Sequence, residues 1–287
     1  MSTSFLYDPL GPRGMRRARQ VTVGAGVLTA LGVVLIARRL DSLGQLDHRR
    51  WAILFDPETG VPQVLWHGYI ATIQAAAIAM ACALAVGLIL AIGRLSVHWP
   101  LRLVTGAVVE GFRSIPLLVL MLFTALGLPR LGLDLSLVHV VVLAVVAYNS
   151  SVLCEIFRSG ILAIDKGQTE AADAMGLRRS LILRKVLLPQ AIPKMLPVLT
   201  SQLVILLKDT SLGFVVGYTE LLRSGRSLVE YYGSQYSLQL YLGVAVLYIA
   251  TNFLISLFAK WLTSRQQHSR RSKSTSGTDI PLTPTRL

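Results

Sequence analysis

Six ionisable residues stand inside or at the end of apolar stretches of this chain, and their spacing limits what they can do. Glu110 and Arg113 are three residues apart, as are Glu155 and Arg158. On a helix that spacing puts both side chains on one face, so each pair can neutralise itself. Lys208 and Asp209 are adjacent and followed by Thr210 and Ser211. Neighbours point about 100° apart on a helix and cannot pair along it, so this segment is either a functional or subunit contact or a plain helix terminus. A break in the helix there would be tolerated only beside protein or water. Charges in an apolar environment need a reason. Either these groups are ion pairs that fix helix ends, or they line a path or gate through which a polar solute passes. Gly213 and Gly217 follow at a spacing that permits close helix packing or a flexible bend.

Residues arranged for catalysis are missing. The sequence has no Gly-x4-Gly-Lys-Ser/Thr loop to cradle phosphate, no His-Glu-x-x-His and no nucleophile elbow. The five histidines, His48, His67, His98, His139 and His268, are scattered. Cys82 and Cys154 both lie in apolar runs, which excludes a disulfide framework and a cysteine-ligated zinc site. The chain is expected to be no enzyme and to hold no metal or cofactor.

The elements that must position the six charges are apolar spans. Of 287 residues 53% are hydrophobic and only 15% charged, with a mean hydropathy of +0.58. Soluble domains carry nearer a quarter charged residues, so this is a membrane protein's composition. Six stretches are long enough to cross a bilayer: Val21 to Ala37, Tyr69 to Gly93, Leu103 to Leu128, Leu135 to Leu153, Pro193 to Gly217 and Leu238 to Leu262. The first is short and preceded by Arg13, Arg16, Arg17 and Arg19, as in a signal peptide. It ends Leu35-Ile36-Ala37-Arg38-Arg39 without a clear small-residue cleavage site, which favours a retained helix.

The net charge of +13 is distributed by topology. With the N-terminus inside, basic residues favour the inner segments by better than two to one, which places both termini in the cytoplasm. No single basic stripe exists, so nucleic acid is not an expected partner. Residues 1–20 form the cytoplasmic N-terminus and 263–287 a basic tail, rich in Ser and Thr, expected to be disordered.

Between Arg158 and Pro189 lie about 30 residues with a helical pattern of their own. Asp165 with Gln168 reads as an N-cap pair. Gly176 is placed for a left-handed C-terminal cap, and Pro189 should stop a second short helix. Ala171, Ala172 and Met175 fall toward one small apolar face. Such a hairpin outside the bilayer either docks a partner or rests on lipid.

Glu170-Ala171-Ala172, Gly176 and Leu188-Pro189 at these intervals resemble the EAA loop of binding-protein-dependent ABC transporter permeases; the family prefers Ile where Val186 stands. His67 to Ile73, Glu110 to Leu118, Tyr148 to Ile161 and Leu207 to Leu212 resemble the polar amino-acid branch, the histidine/glutamine/glutamate permeases. The likeness covers residues 65–262.

The resemblance implies an all-α polytopic membrane protein in the plasma (inner) membrane of a prokaryote. Its five-helix ABC importer permease core would be extended by one N-terminal transmembrane helix at 21–40. The loop at 158–190 would be gripped by a cytosolic ABC ATPase, which binds the ATP and Mg. A second permease subunit, homo- or heterodimeric, and an external solute-binding protein complete the implied assembly. Glu170, Ala171, Ala172, Gly176, Leu188 and Pro189 would couple the two machines. The substrate would be a polar amino acid, with glutamate favoured by Arg223 and Arg226 in the outer loop. The alternative is an autonomous secondary transporter or channel driven by an ion gradient.

Overall fold

The computed structural model describes residues 11–275, and every regular element among them is helical. Residues 1–10 of the expected N-terminal segment and 276–287 of the expected tail lie outside the described residues. In chain order the α-helices are α1 (Pro12–Ser42), α2 (His48–Ala52), α3 (Val61–Arg94), α4 (Trp99–Ser114), α5 (Leu117–Gly127) and α6 (Leu137–Leu162). They continue as α7 (Lys166–Ala174), α8 (Arg179–Leu181), α9 (Leu188–Asp209), α10 (Leu221–Tyr232) and α11 (Ser237–Thr275). Five helical stretches are long and apolar enough to cross a bilayer: α1, α3, α6, the run Arg179–Val216 and Ser234–Phe258.

The third expected span differs from the sequence reading. Leu103 to Leu128 is not one helix but α4 and α5, bent by 97°. Ile115 is extended (φ −94°, ψ 126°) and Pro116 follows it. A residue before proline is driven out of the α region and proline brings no N–H, so the helix must stop at Ser114. Counting the bent pair as one span restores six.

Two other boundaries move. α1 begins at Pro12, where proline's fixed φ suits a first turn, and none of its residues is buried. The basic tail expected to be structureless from residue 263 instead continues α11 to Thr275. From Thr263 to Thr275 there is neither Gly nor Pro to end a helix that has already nucleated.

The core is built on α3 against α6. Ala75, Ala79 and Ala83 of α3 pack against Val141, Ala144, Val145 and Leu153 of α6, all within one cluster with Met121 and Leu206. Small residues set the distance: a Cβ on Gly87 would lie 2.9 Å from Leu153 Cβ and 3.0 Å from the Ser150 carbonyl oxygen. In a bilayer, where lipid tails are as apolar as leucine, such close backbone packing is what holds helices together. A second cluster, Val61, Leu65, Leu221, Leu228, Leu240 and Val244, joins the start of α3 to α10 and α11.

Candidate functional site

Three polar constellations interrupt this apolar framework. The first ties the ends of three helices. Arg94, last residue of α3, donates from Nη2 to Glu155 Oε1 of α6 at 3.0 Å and to Glu110 Oε1 of α4 at 3.4 Å. Arg158 Nε donates to the other oxygen of Glu155, also at 3.0 Å. The expected Glu155–Arg158 pair is therefore present. The expected Glu110–Arg113 ion pair is not made among the described residues. Glu110 meets Arg94 instead because Gly106, one turn before it on the same face of α4, leaves room: a Cβ there would be 2.6 Å from Arg94 Nη1. Partial burial of Arg94 and Glu155 (19% and 18% side-chain exposure) makes their bond stronger than a surface pair.

The second constellation surrounds Asp209. Helix α9 ends at Asp209 and a 3-10 stretch, Thr210–Val216, follows it to Gly217, whose φ is +90°. Directly after Lys208 and Asp209 the α-helix thus gives way to a tighter one. Asp209 turns into the protein, where Asn149 Nδ2 of α6 donates to its Oδ2 at 3.1 Å. Asn149 is fully buried, and its own oxygen accepts from Gln202 Nε2 at 2.8 Å. Lys208 turns the other way, into a groove of about 700 Å³ that Tyr248 and Asn252 of α11 also line. Gly213 permits close approach to Val141, whereas Gly217 supplies the bend.

The third constellation is the hairpin after α6. Asp165 caps α7 by accepting from Gly167 N at 2.7 Å. The Gln168 side chain does not complete a capping box; it accepts from Gln190 Nε2 of α9 at 3.1 Å. At the other end Gly176 has φ +74°. Its N–H bonds the Asp173 carbonyl at 2.9 Å, and the Leu177 N–H bonds the Ala172 carbonyl at 3.2 Å, which together satisfy the orphan carbonyls of α7.

Two sequence expectations are corrected here. Ala171, Ala172 and Met175 do not share one outward face: Ala172 is buried, while Ala171 is exposed and Met175 is 71% exposed. Adjacent residues sit about 100° apart, so an inward Ala172 sends Ala171 outward with Glu170 and Met175. Nor does Pro189 stop a helix. It lies in the first turn of α9, preceded by the π-helical turn Ile182–Leu187. The wider π turn accommodates a residue that lacks an N–H and would clash with the preceding turn. Leu188 is half-buried, and Leu187 and Leu188 pack on the main core.

Gly160 near the end of α6 is what lets α9 come close: a Cβ there would stand 2.1 Å from Met195 Cγ. The hairpin is therefore mounted on two helices that touch directly.

The opposite end of the bundle is locked by α10. Leu221 N donates to Thr72 Oγ1 of α3 and Tyr218 Oη to the Ala71 carbonyl, both at 3.0 Å. Glu220, fully buried, accepts from Leu222 N, Arg223 N and Tyr248 Oη. Burial pushes its carboxyl above the ordinary range, against these three hydrogen bonds. Arg226 is paired with Glu230 at 2.9 Å, so its charge is already compensated.

Residues 63–268 match the family described as binding-protein-dependent transport system inner membrane component. The chain belongs to this family. The permease is 35% identical over 248 residues to the glutamate transport system permease protein GluD of Corynebacterium glutamicum, covering 85% of this chain and 89% of that one. It is 35% identical over 203 residues to a probable glutamine ABC transporter permease protein, GlnP, of Bacillus subtilis, covering 70% and 93%. A crystal structure of an amino acid ABC transporter with histidines superposes with a TM-score of 0.67 at 28% identity, covering 73% of this chain and 97% of that one. The fold is also that of the MetNI methionine ABC transporter (TM-score 0.58, 24% identity). The permease is thus a multi-pass inner-membrane protein of the polar amino-acid ABC type, a transport component rather than an enzyme.

Proposed function

We propose that this permease carries a polar amino acid, glutamate or a close relative, inward across the plasma membrane, driven by ATP hydrolysis in a separate cytosolic ATPase. A second permease subunit forms the other wall of the path, and an external solute-binding protein delivers the substrate. Both termini and the α7 hairpin lie in the cytoplasm. The observation that carries this reading is the mounting of α7. It is capped at both ends, seated through Ala172, and joined to α9 by Gln168–Gln190. Glu170, Ala171 and Met175 face out, free for the ATPase.

Mechanically, α7 is a handle. Its N-terminus continues α6 through Ile164, which is buried, and its C-terminus leads through Gly176 into α8 and α9. A push on α7 is delivered to α6 and α9 together because Gly160 seats on Met195. Those helices carry Asn149, Gln202 and Asp209 at membrane depth, and α6 also carries Glu155 and Arg158. Joint movement of α6 and α9 against α3 and α4 therefore works on the Arg94–Glu155 tie and carries the Asp209 constellation with it, and alternating access follows as one arrangement replaces the other. The Arg94–Glu110–Glu155–Arg158 network acts as the gate at the α7 end, with Arg113 beside it; Lys208 and Asp209 contribute to the path.

The preference for glutamate rests on the likeness to glutamate and glutamine permeases. Arg223 and Arg226 give it little help, since Arg226 is held by Glu230. Uptake of labelled glutamate into vesicles containing the permease, its partner subunits and the binding protein tests the reading. Competition by unlabelled glutamate, but weakly by lysine, is the expected result. Gradient-driven flux through the permease alone, without an ATPase, would contradict it.

A further inference from the structure

We propose that the cavity between the α3–α4 turn and the end of α6 is a binding site for the anionic headgroup of a membrane phospholipid. The cavity measures about 560 Å³ and its walls come from α3, α4 and α6. That volume lies within the range of small-molecule sites. Its lining carries three guanidinium groups, Arg94, Arg102 and Arg158, and one carboxylate, Glu110. Glu155 behind them is occupied on both oxygens by Arg94 and Arg158. Among these groups three positive and two negative charges leave one positive charge over, and Arg113 nearby adds to it, so an anion such as a phosphodiester is favoured. Arg102 is exposed and enters no ion pair with a carboxylate among the described residues, so it is the cation available to a ligand.

The rim decides which anion. Trp99 and Leu103 line the same cavity, and Trp99 is 65% exposed. Tryptophan at the end of a membrane helix marks headgroup depth. Leu103, 61% exposed, stands one turn beyond Trp99 on the same face of α4 and starts an apolar track for an acyl chain. A free anion would use the arginines but gain nothing from this track. Basic pockets between helices at the cytoplasmic face are where acidic headgroups are recognised. The turn between α3 and α4 (Arg94 to Trp99) keeps the pocket shaped: a Cβ on Gly93 would lie 2.5 Å from Thr105 Cγ2, and Arg94 lies across Gly106. The site rests on the proposed topology, which puts this end of the bundle at the cytoplasmic membrane surface, and not on the substrate or on ATP coupling.

The test is lipid retention by the intact transporter complex. The complex is equilibrated in nanodiscs of equal phosphatidylcholine and phosphatidylglycerol, released into mild detergent, and weighed by native mass spectrometry. Phosphatidylglycerol should be retained in preference to phosphatidylcholine. Arg102→Gln, a change at an exposed side chain, should lower that retention about fivefold. Glu110→Gln, which removes the competing carboxylate, should raise it. Equal retention of the two lipids, or retention unchanged in Arg102→Gln, would overturn the proposal. So would displacement of the lipid by inorganic phosphate at equal concentration.

Discussion

Replacing Gly176 by Val probes the handle without touching anything around it. Gly176 sits at φ +74° with open space where a side chain would go, so the whole effect is conformational. An L-residue held there costs about 1–2 kcal/mol, and a β-branched one lies at the upper end. The escape is to leave the left-handed region, which surrenders the bonds from Gly176 N to Asp173 and from Leu177 N to Ala172. At about 1 kcal/mol net each, that route also costs about 2 kcal/mol. A nine-residue helix has little stability of its own to absorb the loss. The seated-to-unseated ratio of α7 should therefore fall about thirtyfold, and apparent affinity for the ATPase by up to that factor. Binding of the ATPase to permease-containing nanodiscs reads this directly, and uptake in proteoliposomes reads its consequence. Gly176→Ala should lose about fivefold and Gly176→Asn less, because Asn tolerates the left-handed region. Membrane insertion should be unchanged in all three. Wild-type affinity and uptake in Gly176→Val would refute the coupling role.

Three further substitutions bear on the links behind the handle. Asn149→Leu strands Asp209 and Gln202 without their shared partner, which costs about 1–3 kcal/mol; uptake should fall at least about tenfold while the complex still assembles, and normal uptake would remove Asp209 from the path. Gly160→Val forces a side chain into Met195 and should destabilise the permease by about 1–3 kcal/mol. A lower melting temperature in detergent checks this, with recovery expected when Met195→Ala is added. Gln190→Leu removes the bond to Gln168 and should lower the amount of substrate carried per ATP while ATPase binding stays intact; an unchanged ratio would show that this bond transmits nothing.

What the sequence disclosed and what it withheld follow from range. Glu155 and Arg158 were legible as a pair because a helix brings residues three apart together. Arg94, which binds Glu155 across 61 positions of chain, had no local signal, and it diverted Glu110 from Arg113. Asp209 was visible as a misplaced charge, but Asn149 and Gln202 were ordinary polar residues until the fold brought them to it. The hairpin was readable at its ends, where Asp165 and Gly176 act through their own backbone neighbours. Its faces were less so: that Ala172 points inward depends on the Ile182–Leu187 turn folding back against α7. The bend at Pro116 was written locally, since a residue before proline resists the α region, yet the continuous apolar run around it obscured it. The 3.6-residue period likewise could not show a π turn ahead of Pro189.

Accessibility of α7 from the two sides of the membrane bears most directly on the function. Ala171 is exposed, so an Ala171→Cys permease in a background lacking Cys82 and Cys154 presents one thiol there. A membrane-impermeant maleimide should label inside-out vesicles and leave intact cells unlabelled, and adding the ATPase should protect the thiol. Labelling from outside intact cells would place α7 on the wrong face of the membrane and contradict its role as the handle.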